Sequence, residues 1–367
     1  MIHSYQKQLK GKSVGVIFGS FAPLHQGHLD LIMRAKKEND GGCIVIVCGF
    51  DGDKGEPLMP HKKRYRYVRE FFADDELVAV YSINDTEIGI GKYPTGWEGW
   101  LKEFHRIVVE NKTEGNLVWY VGDQTYYDGL TDRGYSAILV DRTENPISGT
   151  LIRENPIKNW DKITKPFRRV FSHNILITGT ASEGKSTLVK DLGKYFNAPS
   201  SYEWAIGYMN ESCVSEWELD ITDFLAFLEG QYNLNRSLIN SDSNHGLFFS
   251  DTDSLVTNMY SNFYSKDPDL ALTEEEYKKI KTVAYEYAKK SRWNKIFLLA
   301  PHGVFVDNHI RYMNHSDIEK RKALFDILVE SIKEVGDWDK VTILNGNYYE
   351  NFISVVNYVK GVQDGQN

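Results

Sequence analysis

Cysteine is scarce in this chain. The three that occur, Cys43, Cys48 and Cys213, share no metal-ligand spacing, so no zinc-type site is expected from them. Cys43 and Cys48 lie in an apolar run and read as small core residues. With so few cysteines and no leader-like segment, a reducing cytoplasm is the expected setting. Long apolar runs are also missing. None approaches the roughly 20 residues that cross a bilayer, so no membrane insertion is expected. Positive charge is in deficit: 43 Lys and Arg stand against 51 Asp and Glu, for a formal net charge of −8. A broad nucleic-acid-binding face needs clustered cations to neutralise phosphates, so nucleic acid is not an expected partner. What remains is an ordinary globular composition, 41% hydrophobic and 26% charged. It is rich in Tyr and Trp, side chains that suit planar ligands. At 367 residues the chain exceeds one ordinary core, and two domains are expected.

The first stretch with chemistry follows the apolar run Val14 to Phe18. It reads Gly19-Ser20-Phe21-Ala22-Pro23-Leu24-His25-Gln26-Gly27-His28, and a helical pattern with Leu31, Ile32 and Ala35 on one face comes next. A strand, a tight glycine turn and a helix start bring backbone N–H groups and the helix N-terminus to an anion. His25 and His28 sit where they can reach phosphate oxygens. The string resembles the signature of the nucleotidylyltransferase superfamily with a His-x-Gly-His motif. Roughly 120 residues on, within the reach of one mononucleotide-binding domain, Ile147-Ser148-Gly149-Thr150-Leu151-Ile152-Arg153 resembles the Ile-Ser-x-Thr-x-x-Arg signature of nicotinamide mononucleotide (NMN) adenylyltransferases. Thr150 and Arg153 share a helical face, and Arg153 offers a planar fork to phosphate.

Between these motifs, β-rich runs at 43–48, 78–83, 117–121 and 137–140 alternate with helical patterns at 27–39, 61–72 and 97–109. That alternation predicts a parallel, doubly wound sheet whose ligand lies at the carboxyl ends of the strands. In the loops leaving those ends, Gly122 and Asp123 suit a base or ribose, with a solvated turn as the alternative. Trp97, after Tyr93-Pro94-Thr95-Gly96, suits stacking on a flat ring, with core packing as the alternative. The basic helix Lys62, Lys63, Arg64, Arg66 and Arg69 reads as mostly solvated, with one side chain free to touch a phosphate.

Residues 155–172 read as a linker, with the boundary near Pro166 to Phe171. A second buried-strand pattern, Asn174 to Thr178, runs into Gly179-Thr180-Ala181-Ser182-Glu183-Gly184-Lys185-Ser186 and then a helix from Thr187. This Gly-x-x-x-x-Gly-Lys-Ser spacing in that context is a P-loop. Its backbone cradles phosphates, Lys185 reaches the β- and γ-oxygens, and Ser186 can ligate Mg²⁺. The carboxylate a kinase needs at a neighbouring strand end is supplied by Asp251-Thr252-Asp253 after Gly246 to Ser250. One Asp is expected at Mg²⁺ and the other at a substrate hydroxyl, with helix capping as the alternative. The polar segment Pro301 to Ser316 carries Asp307 and Arg311. It reads as a lid, with Arg311 neutralising the transferring phosphoryl group and Arg321 a second candidate.

The order of these parts, across residues 13 to 361, resembles the bifunctional NMN adenylyltransferase/nicotinamide riboside kinase family, the NadR type. The resemblance implies an α/β architecture of two sheets, an adenylyltransferase domain at 1–165 and a P-loop kinase domain at 166–367. It implies that the second domain phosphorylates nicotinamide riboside to NMN with ATP and Mg²⁺. The first would join NMN to the adenylyl group of ATP, giving NAD and pyrophosphate. The catalytic residues are then His25, His28, Arg153, Lys185, Asp251 and Arg311, with Ser186 and Asp251 at the metal. ATP and phosphates fall to Gly19, Ser20, Phe21, Gly27, Ser148 and Thr150 in the first domain. In the second they fall to Gly179, Thr180, Ala181, Ser182, Glu183, Gly184, Ser186 and Thr187. Substrate contacts fall to Trp97, Gly122, Asp123, Tyr202, Glu203, Tyr232 and Asp253, with Tyr202 and Tyr232 expected to sandwich the cationic ring and Trp204 as the alternative. Two departures stand out. The family's longer form carries an N-terminal helix-turn-helix that is not read here, so transcriptional repression is not implied. Ile206 and Gly207 replace the Arg-Glu pair of the family's Glu-Tyr-x-Arg-Glu-Tyr segment.

Two other classes use the same parts. One is a nucleotidylyltransferase for another phosphate, such as phosphopantetheine, fused to a different small-molecule kinase; the pairing and order of the domains weigh against it. The other is a nucleotide-sensing regulator of a partner such as a riboside transporter; intact Lys185, Ser186, Asp251 and both histidines weigh toward turnover. A homo-oligomer is compatible with either.

Overall fold

Lys10–Gly19 (β1) passes from polar to apolar at Val14, and its burial follows, from an exposed edge to a closed interior. Gln26–Glu38 (α1) comes next, burying Leu31, Ile32 and Ala35, then Cys43–Cys48 (β2), buried along its whole length. The first unit continues through His61–Phe71 (α2), Val78–Ile83 (β3), Asp85–Ile88 (α3), Trp97–Glu110 (α4), Glu114–Val121 (β4), Gln124–Thr131 (α5), Ala137–Leu139 (β5), Gly149–Glu154 (α6) and Lys165–Phe171 (α7). The computed structural model describes residues 7–49, 58–91, 95–110, 113–140, 147–268, 270, 272–302 and 317–365. They cluster into two units, Met1–Phe171 and Ser172–Asn367.

In the first unit all pairings are parallel, in the order β3-β2-β1-β4-β5. Alternate residues serve opposite faces. Cys43, Val45 and Val47 join the core under α1 and α2, while Ile44, Ile46 and Cys48 join the core under α4. A strand buried on both faces reads as a continuous apolar run, as β2 does. The order reverses at β1, between β2 and β4, which places the turn after β1 at the switch point.

The segment expected as a linker is part of this first unit. Trp160, Ile163 and Phe167 sit in one core with Phe21, Ala22 and Leu24. Thr164 donates to the Leu24 carbonyl from both its N–H and its hydroxyl, and His25 bridges Ile163. The chain past α6 therefore returns to brace the histidine turn.

The second unit runs His173–Gly179 (β6), Lys185–Phe196 (α8), Ser200–Ser201 (β7), Trp204–Ser212 (α9), Ile221–Ile239 (α10), Leu247–Ser250 (β8), Ser254–Tyr264 (α11), Glu274–Ser291 (α12), Lys295–Leu299 (β9), Ile318–Glu334 (α13), Val341–Leu344 (β10) and Tyr348–Gln363 (α14). Its sheet is again parallel, ordered β10-β9-β6-β8-β7. Helices α9 to α12 build a second apolar layer around Met209, Phe224, Phe227, Tyr264 and Ile280. Among the described residues, no helix is long and apolar enough to cross a membrane.

Candidate functional site

The histidine turn is built from inside. Phe21 takes a positive φ of 47°, which throws its fully buried ring into the core and edge-on against His28, 4.9 Å between centroids. His25 and His28, three residues apart at the start of α1, stack with centroids 3.8 Å apart. His25 is the helix cap residue and is buried; its carbonyl accepts from the N–H groups of His28 and Leu29. Gly27 has to be small: a Cβ there would meet Ile147 at 3.1 Å and the His25 ring at 3.3 Å. Gly27 thus lets the second signature approach the first. In that second signature Ser148 caps α6, its hydroxyl accepting from Leu151 N–H at 3.2 Å. The Arg153 guanidinium donates to the Ala22 carbonyl at 2.5 Å and to the Thr150 hydroxyl at 3.1 Å. Gly19, Ser20, His25, His28, Thr150 and Arg153 are thereby tied into one corner at the carboxyl end of β1. The Phe21 ring is core.

Arg64 corrects the reading of the basic helix. It is fully buried and donates to the carbonyls of Met59, Ser20, Cys48 and Gly49. One guanidinium closes the loops at the ends of β1 and β2 instead of meeting solvent. Two substrate expectations also change. Trp97 is 4% exposed, packs against Phe18 and Tyr126, and donates its indole N–H to Gly129; it is core. Asp123 caps α5 by accepting from Thr125 N–H at 2.9 Å, leaving Gly122 beside it at the end of β4. Tyr93 and Pro94 lie outside the described residues.

In the second unit the strand β6 ends in the P-loop. Gly179 lies against β9, where a Cβ would meet the Leu299 carbonyl at 2.8 Å. Ser182 and Gly184 take left-handed φ values of 65° and 83°, a conformation that turns successive N–H groups toward an anion. Lys185 opens α8, is 7% exposed, and donates to the Thr180 carbonyl at 2.7 Å. Ser186 and Thr187 stand exposed beside it, and Ala181 is buried beneath the loop. Glu183 turns inward: its carboxylate accepts from the Thr180 hydroxyl, from His302 N–H and from Arg321. Arg321, expected as a second phosphoryl-stabilising cation, is committed to Glu183 and fully buried. Of the expected lid, only Pro301 and His302 are described; Asp307, Arg311 and the remainder, 303–316, lie outside the described residues.

Ala181 and Lys185 form one end of a cleft of about 790 Å³, open solvent at its mouth included. Its other walls include Glu203 at the cap of α9 and Ile206 and Met209 within it, Glu216 and Leu219, Phe224, Phe227 and Gln231 from α10, and Thr252, Val256, Tyr260 and Tyr264. Gln231 is buried and fixes the turn that carries Glu203: it accepts from Trp204 N–H at 2.8 Å and donates to the Tyr202 carbonyl at 3.2 Å. The ring of Trp204, the first residue of α9, packs against α10, where a Cβ on Gly230 would meet it at 2.3 Å.

The expected sandwich is not what the walls contain. Tyr202 is 59% exposed, and Tyr232 pairs with Tyr287 of α12, centroids 4.9 Å apart. The aromatics of the cleft are Phe224, Phe227, Tyr260 and Tyr264, which periodicity marks only as core. Burial raises the Tyr264 phenol well above its ordinary range, with the neighbouring Glu216 carboxylate adding to it. Asp253 is likewise corrected. Buried at 2% exposure, it caps α11 by accepting from Leu255 N–H at 3.0 Å and accepts from the Trp293 indole at 3.0 Å. Burial raises its carboxyl to about 6. Asp251 follows directly on β8 and is 1% exposed. Among the described residues no group of three or more His, Cys, Asp or Glu gathers as a metal centre. A divalent cation here would rest on one carboxylate, one hydroxyl and the phosphates of its nucleotide, which is how Mg²⁺ is usually held. Asp251 and Ser186 fit that donor set.

A parallel sheet with a His-x-Gly-His turn at its switch point defines a nucleotidylyltransferase unit, and a parallel sheet with a P-loop and a carboxylate on the adjacent strand defines a P-loop kinase unit. Residues 16–155 match the cytidylyltransferase-like family and residues 174–350 the AAA domain family. The trifunctional NAD biosynthesis/regulator proteins NadR of Salmonella typhimurium strain LT2 and Escherichia coli strain K12 are each 27% identical over 369 residues, 97% of this chain and 84% of theirs. A crystal structure of NadR protein in complex with NR gives a TM-score of 0.86 at 31% identity, covering 97% of this chain and 98% of that one. A second, in complex with NAD and AMP-PNP, gives 0.85 at 31% identity, covering 98% of both. The chain belongs to the NadR family.

Proposed function

We propose that this protein makes NAD in two steps, phosphorylating nicotinamide riboside to NMN in its second unit and adenylylating NMN in its first. The observation that carries the reading is the continuity of one cleft from the P-loop residues Ala181 and Lys185 to an aromatic chamber. A phosphoryl donor and a flat nucleoside would meet there. Lys185 supplies the cation for the β- and γ-oxygens, and in the loaded site it exchanges the Thr180 carbonyl for phosphate. Glu203 lies on the same wall and holds the 5′-hydroxyl, accepting its proton as the oxygen attacks the γ-phosphorus. Mg²⁺, held by Asp251 and Ser186, supplies charge neutralisation on the triphosphate when bound. The aromatic walls attract a pyridinium face.

In the first unit the NMN phosphate attacks the α-phosphorus of ATP and pyrophosphate leaves. Neither step needs a covalent enzyme intermediate, and the buried Cys43 and Cys48 thiols, pushed up by burial, are not nucleophiles. His25, His28, Thr150 and Arg153 align the two phosphates and neutralise charge in the transition state. Assaying each half-reaction separately tests this. Lys185→Ala should abolish riboside phosphorylation and leave NMN adenylylation near normal. Loss of both activities in a folded variant would contradict the assignment of one reaction to each unit.

A further inference from the structure

Within a Gly-x-x-x-x-Gly-Lys-Ser loop the four middle positions serve phosphate through their backbone, so their side chains are free to vary. A carboxylate there, pointing outward, would repel the triphosphate. Here the fourth is Glu183, and its side chain is fully buried, as is that of its partner Arg321, 3.0 Å away. Three elements converge on this one carboxylate. The Thr180 hydroxyl donates from the P-loop at 3.1 Å, His302 N–H donates from the chain just past β9 at 3.0 Å, and Arg321 donates from α13 at 3.0 Å. The His302 ring, 53% exposed, also lies 3.3 Å from it. Burial pushes the Glu183 carboxyl up, against the pull of His302, Arg321 and Thr180.

Replacing both members of a buried ion pair with apolar groups is often neutral for stability, so the pair is poorly explained as a stabiliser. It is better explained by what it holds in place. We propose that Glu183 is a positioning residue for phosphoryl transfer. Its two acceptor oxygens lock the curl of the P-loop to the end of β9, while Arg321 neutralises the carboxylate so that it does not oppose the nucleotide's charge. The acceptors are then the working feature and the charge a requirement of keeping them buried. This rests on the kinase reading of the second unit.

The test compares Glu183→Ala/Arg321→Met with Glu183→Gln/Arg321→Met in the full chain. Both remove the two charges; only the second keeps a side chain whose Oε1 can accept from His302 N–H while its Nε2 donates to the Thr180 hydroxyl, which can serve as acceptor. For the alanine pair, KM for ATP should rise and kcat fall, each by about tenfold, as expected when a reacting group is misplaced by a fraction of an ångström. Riboside KM and NMN adenylylation should stay within about twofold, since neither site is touched. The glutamine pair should recover to within about threefold of wild type, because both contacts can be re-made, the one to Thr180 with its direction reversed. Equal kinetics in the two pairs would overturn the proposal. If the alanine pair fails to fold, Thr180→Val reads the same bond with Glu183 and Arg321 intact, and an unchanged ATP KM there would overturn it. Direct binding of AMP-PNP to each variant separates the two readings. A wild type that binds nucleotide but does not phosphorylate riboside would contradict the proposed function, whereas the ratio of affinities between variants would still judge Glu183.

Discussion

Single residues divide here into those whose chemistry dictates their neighbours and those whose face is set by helix phase. His25, Gly27 and His28 belong to the first kind, because the turn that brings two imidazoles to a helix start needs those residues at that fixed spacing. His28→Ala should lower the adenylyltransfer kcat by roughly 10²–10³, the usual loss when one preorganised donor to developing phosphate charge is removed. Riboside phosphorylation should survive, and an unchanged adenylyltransfer rate would make His28 a packing residue. Tyr232 belongs to the second kind. Phe224, Phe227 and Gln231 line the cleft at helical spacing, and Tyr232, one residue further round, faces Tyr287 instead. Tyr264→Leu keeps bulk and removes an aromatic face, so riboside KM should rise several-fold at constant ATP KM, reflecting about 1 kcal/mol of cation–π attraction. An unchanged riboside KM would remove Tyr264 from the ring site. Asp251 and Asp253 show the limit of reading by type: two like residues, two apart, of which Asp253 caps a helix and Asp251 is the one proposed at the metal.

Elements were legible where they carried their own pattern. The strands β2 and β3 match their apolar runs end to end, because a strand buried on both faces leaves no other reading. Helix α12 is different: its buried residues are only Ile280, Ala284 and Ala288, a stripe too thin and too small to stand out among its charges. The chain after α6 looked like a linker because Pro156 and Pro166 punctuate it, yet Trp160 and Phe167 are core; tertiary packing overrode local composition. Strand β6 also carries a pH signal at its start. His173 is mostly buried beside the Tyr358 hydroxyl, 3.0 Å away, and burial lowers its pKa to about 4. The unfolded chain takes up a proton near pH 6.5, before the folded one does. The neutral ring therefore costs nothing above pH 6.5, and stability is lost as pH falls from there toward 4. Relative to His173→Gln, the wild type should lose about 2 kcal/mol of stability between pH 7 and pH 4.5. Parallel denaturation curves at the two pH values would show that His173 is solvated.

At the scale of the whole molecule, each unit has its own sheet, its own cores and its own motif set. The fold class and the family were legible because two phosphate-binding turns, each after a strand, appear in a fixed order. The walls of the cleft proposed for the riboside were not, because they come largely from α9, α10 and α11 and meet only in three dimensions. In the proposed function a shared compound links the two reactions, since the product of one is the substrate of the other. The most direct measurement follows that compound. Purified protein is given ATP, Mg²⁺ and nicotinamide riboside labelled in the ribose, and products are resolved by mass over time. Labelled NMN should appear first and labelled NAD after it, with ADP and pyrophosphate released in step. Neither labelled product rising above a no-enzyme control would contradict the account.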